Sequence, residues 1–151
     1  MQQRVRGFEW INGYNYEDTA LPQRKTVASA GYDLAAAWDC LLEAGKVTLV
    51  PTGLKAYMPD DEYLAIHIRS SMAVKHRLSL INGQGIIDAD YYNNQDNEGH
   101  ILVAVYNHGC ESFRLEKGAR IAQGIFMKYL ITDDDETDGM RTGGIGSTGK
   151  Y

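Results

Sequence analysis

A chain of 151 residues with 44% apolar and 23% charged positions has the size and composition of one folded domain around a single core. Its net charge of −5 excludes a nonspecific nucleic-acid binder, so a polyanionic ligand must be met by a local cluster of arginine, lysine, backbone N–H and metal. No run approaches the roughly 18 apolar residues of a membrane span, and MQQRVRGFEW has no apolar signal region, so no membrane partner and a cytoplasmic location are expected.

Residues 38–44 are the first candidate helix, and short β-like runs follow. The run 47–50 is apolar and β-branched and is stopped by Pro51; 54–58 is stopped by Pro59. Over 63–68, Tyr63, Ala65 and His67 alternate with Leu64, Ile66 and Ile68. A second short helix is predicted over 70–76. ILVAVY at 101–106 and IAQGIFMKYLI at 121–131 are the most apolar strands. Turn chemistry separates them at Pro51-Thr52-Gly53, Pro59-Asp60-Asp61, Asn107-His108-Gly109 and Glu116-Lys117-Gly118. Many short strands at this spacing predict an all-β sandwich or barrel rather than βαβ units. TDDDETD at 132–138 is a solvated acidic linker, and RTGGIGSTGKY cannot bury enough surface to fold alone and reads as a mobile arm. The chain thus divides into a domain over 1–131 and a linker with arm over 132–151. Cys40 and Cys110 form no C-x-x-C pair and read as buried free thiols. His67, His76, His100 and His108 lack metal-ligand spacing, so zinc chemistry is not expected.

Four constellations carry chemistry. GIGSTGK at 144–150 fits part of a phosphate-binding P-loop, but Tyr151 follows the lysine where Ser or Thr is required, so a Walker A site is rejected. Its backbone N–H groups, with Arg141, Ser147 and Thr148, remain donors for phosphate oxygens, or the segment is a plain tail. In NGQGIIDADY at 82–91, a strand would place Asp88 and Asp90 on one face and Ala89 and Tyr91 on the other. A carboxylate there serves as a general base, or caps a turn or forms a surface pair. Arg69-Ser70-Ser71, where a strand opens a helix, is a phosphate-type donor set or a serine N-cap beside a solvated arginine. Asp33, in AGYDL, orients a metal's waters or satisfies a turn.

In order, ASAGYDLAA (28–36), RSS (69–71), NGQGIIDADY, KGARIAQGIF (117–126) and RTGGIGSTGK (141–150) resemble the five motifs of the trimeric deoxyuridine triphosphatase family, from about residue 25 to the end. The resemblance implies a distorted β-barrel, jelly-roll-like fold and Mg2+-assisted hydrolysis of dUTP to dUMP and pyrophosphate in a homotrimer with shared active sites. It gives Asp88 as the base that activates water, and Tyr91 as the ring packed beneath the deoxyribose. Asn82 and the backbone of 83–87, including Gly85 and Ile87, read uracil. Arg69, Ser70, Ser71 and Gln123 contact phosphates, and Asp33 holds Mg2+ through water. Arg141, Ile145, Gly146, Ser147 and Thr148 belong to the closing arm. Two departures stand out: Ile145 occupies the place of the family's usual aromatic, and YNNQDNEGH at 92–100 looks like an inserted loop.

Two other readings compete. A dCTP deaminase of related fold would need a dedicated glutamate beside the base, and no convincing one is present. A dUTP-sensing regulator that binds a protein partner would keep the fold and signal by closing its arm.

Overall fold

The alternation along 63–68 becomes β6 (Glu62–Ile68) in the computed structural model, which describes residues 3–14, 17 and 19–146. Leu64, Ala65 and Ile66 are all buried, so this strand is covered on both faces. It pairs antiparallel with β11 (Arg120–Lys128) on one side and β8 (Gly85–Asp88) on the other. With β2 (Tyr32–Ala35) they form a sheet ordered β2-β11-β6-β8. A three-stranded sheet is ordered β4 (Val47–Pro51), β9 (Leu102–Asn107), β7 (Leu78–Leu80). Two antiparallel pairs complete the set: β1 (Gly7–Trp10) with β5 (Leu54–Tyr57), and β3 (Cys40–Leu42) with β10 (Phe113–Leu115).

One core joins these sheets. Leu34, Leu64 and Ile121 enter it from the four-stranded sheet, and Val50, Val103 and Val105 from the three-stranded one. Full burial of such side chains stabilises by about 1.5–3 kcal/mol each, an upper bound because the unfolded chain is itself partly compact. Among the described residues a single short α-helix, α1 (Ser70–His76), follows β6, and its C-cap Arg77 is left-handed. Among the described residues no helix is long and apolar enough to cross a membrane.

The chain is therefore mostly strand, as the sequence predicts, although among the described residues the sheets do not close into a barrel. Residues 38–44 are not a helix. Cys40–Leu42 forms a ladder with Phe113–Leu115 that buries Leu42, and this tertiary pairing overrides local propensity. Both thiols are free, but neither is buried: Cys110 sits in the exposed bend after β9, and Cys40 is partly exposed. Beyond Lys128, residues 129–140 are exposed and unpaired by any strand, and the chain then turns back so that Gly143 and Gly144 are buried.

Candidate active site

β7 and β8 belong to different sheets, and the turn between them crosses from one to the other. Gly83 makes the turn possible: its N–H donates to the Leu80 carbonyl at 3.0 Å, and its φ of 76° is a left-handed value that glycine adopts without strain. Asn82 is exposed beside it. β8 is an edge strand, so one row of its backbone N–H and C=O groups has no strand partner. A pocket of about 330 Å³ lies along this edge, lined by Asn82, Gly85 and Ile87 on the β8 side. Ile66, Leu80 and Val103 supply apolar wall from the two sheets. That volume is at the low end of the ~300–1,000 Å³ of small-molecule sites.

Asp88 ends β8 at the pocket, but the strand stops there. Ala89–Tyr91 is a 3-10 turn, so Asp88 and Asp90 do not share a strand face. The turn buries Tyr91, whose hydroxyl donates to the His100 carbonyl at 2.6 Å, and burial pushes its phenol pKa up. The two carboxylates are brought together by the returning chain. Arg141 donates from Nη2 to Asp88 and from Nε to Asp90, both at 2.7 Å, with its guanidinium 5.8 Å from the Tyr91 ring centroid. The Arg141 side chain is only 9% exposed, whereas Asp88 and Asp90 are 54% and 61% exposed. Ile145 and Gly146 also line the pocket, although Ile145 remains 68% exposed. Ser147 and Thr148 lie outside the described residues.

The other sequence-selected residues gather elsewhere. Arg69 is the N-cap of α1 with no side-chain cap bond, so the Ser70 and Ser71 hydroxyls are not serving as the cap. Gln123 on β11 sits opposite Asp33 on β2 and His67 on β6. The Asp33 carboxylate is 3.1 Å from Arg120 and 3.9 Å from Arg69. Asp88 is opposite Tyr63, six residues before Arg69 along the same chain, which puts the two clusters roughly 20 Å apart. One chain thus holds an apolar slot with carboxylates at one end of β6 and a cationic group at the other.

No group of three or more potential metal ligands occurs among the described residues. A lone carboxylate between arginines does not make a cage. It fits Mg2+ that arrives on phosphates and keeps most of its waters. Sequence reasoning missed Arg120, whose signal was its place in KGARIAQGIF. It also gave no sign that Asp96 accepts from the Gly144 N–H at 3.1 Å, although the Asn-rich composition of 92–100 marked a turn.

Comparison with known proteins agrees with this geometry. The family model for dUTPase matches residues 17–149. The deoxyuridine 5'-triphosphate nucleotidohydrolase of Lactococcus lactis is 47% identical over 148 residues, which are 97% of this chain and 99% of the relative. The crystal structure of a dUTPase from Streptococcus mutans superposes with a TM-score of 0.80 at 48% identity, covering 84% of this chain and 98% of that one. A dUTPase from Staphylococcus aureus phage phi11 shares the fold at 16% identity, with a TM-score of 0.73 over 92% of this chain and 99% of that one. The slot beside Asp88, the ordered motifs and these likenesses together place the chain in the dUTPase family.

Proposed function

We propose that this chain hydrolyses dUTP to dUMP and pyrophosphate at a site shared between copies of a homotrimer. The observation that carries the reading is Asp88 at the mouth of an apolar, edge-strand-lined slot with Tyr91 buried beside it. Uracil enters the slot and exchanges hydrogen bonds with Asn82 and the free backbone edge near Gly85 and Ile87, as a base-pairing partner would. The Tyr91 ring packs under the deoxyribose and leaves no room for a 2′-hydroxyl.

Asp88 takes a proton from a water aligned on the α-phosphorus. The new bond from the water oxygen to phosphorus forms as the bond to the bridging oxygen breaks, and pyrophosphate leaves with the electron pair. Arg141 exchanges its carboxylate partners for phosphate oxygens as the arm closes, with Ile145 as apolar cover and Gly146, Ser147 and Thr148 as donors. Asp33 would hold Mg2+ through its waters, and the ion would supply charge neutralisation and polarisation at the phosphoryl oxygens. Arg69, Ser70, Ser71 and Gln123 contact phosphates from a neighbouring copy. Their separation from Asp88 within one chain supports the shared site.

The competing deaminase and regulator readings are not favoured, because the curated relatives matched over most of the chain are nucleotidohydrolases. The test is pyrophosphate release from dUTP, dCTP, dTTP and UTP with and without Mg2+, with ammonia measured from dCTP. Turnover of dUTP in Mg2+ is expected, with UTP poorer by on the order of 10–200-fold. Intact dUTP or ammonia from dCTP would overturn the assignment.

A further inference from the structure

The reaction above gives no task to residues 92–100, the inserted loop between Tyr91 and β9. Yet the loop is tightly knotted. Buried Asn94 accepts from the Asp96 and Asn97 N–H groups at 3.0 and 3.1 Å, and donates to the Tyr91 carbonyl and to Asn97 Oδ1, both at 2.8 Å. Asn97 is thereby fixed at both ends of its amide. Its Oδ1 also accepts from the Gly99 N–H at 3.1 Å, and its Nδ2 donates to the Tyr91 hydroxyl at 2.8 Å. Glu98 ties the loop to the domain through Lys55 at 2.8 Å.

The returning arm rests on the same two residues. The Gly144 N–H donates to Asp96 Oδ2 at 3.1 Å, and a Cβ on Gly144 would lie 3.1–3.2 Å from the Asn97 amide atoms. Because that amide is pinned by three partners, only a glycine approaches it this closely at no cost.

We infer that Asp96 and Asn97 are positioning residues: Asp96 seats the arm through Gly144, and Asn97 braces the Tyr91 hydroxyl, so that one rigid element sets both substrate retention and sugar selectivity. The inference rests on the reading of Tyr91 and the arm given above. Asp96 is exposed, so its truncation leaves the fold intact, whereas Asn97 is half-buried and acts on the ring.

Kinetics on dUTP and UTP, with tryptic cleavage after Arg141 followed in parallel, test it. Asp96→Ala should raise KM for dUTP about tenfold with kcat nearly unchanged, and speed cleavage after Arg141, since the lost bond is to a charged group. Asn97→Ala should lower the dUTP-over-UTP ratio of kcat/KM by about 3- to 10-fold. Gln95→Ala, at an exposed position of the same loop, should change neither. A loop of structural value only would lower Tm and leave KM, the ratio and the cleavage rate alone. That result, or a Gln95→Ala effect equal to that of Asp96→Ala, overturns the inference. A wild-type protein inert toward dUTP would instead sink the proposed function, while the cleavage comparison would still decide whether Asp96 seats the arm.

Discussion

Asp88 and Asp90 show what single side chains contribute at this site. Both stand more than half exposed and share Arg141, so their pairing with it is worth little in stability and leaves Asp88 free to change partner. Asp88→Asn keeps the shape and removes the proton acceptor. Turnover should fall by at least about 10²-fold with dUTP binding retained, measured by pyrophosphate release and by binding of a nonhydrolysable analogue. His100 carries the pH dependence. Its Nε2 accepts from the Gly53 N–H at 2.9 Å, which assigns the ring as neutral, and burial pushes its pKa below the ordinary 6.5, with Glu98 opposing. The unfolded chain then binds the proton more readily, so this contribution is complete above about pH 6.5 and is lost as pH falls through the lower folded value. Urea midpoints for wild type and His100→Gln should converge between pH 7.5 and pH 5. A constant difference across that range would remove His100 from the account. Glu62 and Glu98, whose pKa values are lowered chiefly by Arg6 and Lys55 respectively, lose their contributions only at more acidic pH; that of Glu62 is common to both proteins, while Glu98 also feels His100.

Among the elements, β6 matters most, because it is the strand that joins β8, with its pocket edge, to β11, which carries Gln123. Leu64→Ala, at a fully buried position of that strand, should cost about 2–5 kcal/mol in urea unfolding. A change below 1 kcal/mol would mean that the core does not depend on this strand. The sequence made β6 legible because apolar positions dominate it and proline and aspartate bound it. β9 and β11 were legible from their apolar runs, set off by the turns at Asn107-His108-Gly109 and Glu116-Lys117-Gly118. What it concealed were features set by distant partners. The strand at Cys40–Leu42 exists through its pairing with Phe113–Leu115. The break of β8 at Asp88 follows from the burial of Tyr91 in a 3-10 turn. Ordered motifs marked the candidate site residues, and eight of those fifteen line one pocket: Asn82, Gly85, Ile87, Asp88, Tyr91, Arg141, Ile145 and Gly146. The place of Arg69 and Gln123, at the far end of β6, could not be read without the register of β6 and β11.

At the scale of the whole molecule, the distance between the two clusters makes a shared site testable. Asp88→Asn and Arg69→Ala proteins should each be nearly inactive alone. Mixed and allowed to exchange subunits, they should regain activity at about one site in four, because some interfaces then unite an intact Asp88 with an intact Arg69. No recovery after verified exchange would place both residues in the same copy's site. The exposed stretch 129–140 bears on this assembly. A flexible chain of that length would span roughly 20 Å, comparable with the gap between the two ends of β6. Such a tether would set, by its length, the effective concentration of Arg141 at the pocket. Asp133, Asp134, Asp135, Glu136 and Asp138 repel one another along it, stiffening it in dilute buffer and letting it slacken as salt screens them. How often the arm visits its seat is then a property of ionic strength, even though the seat itself is unaltered.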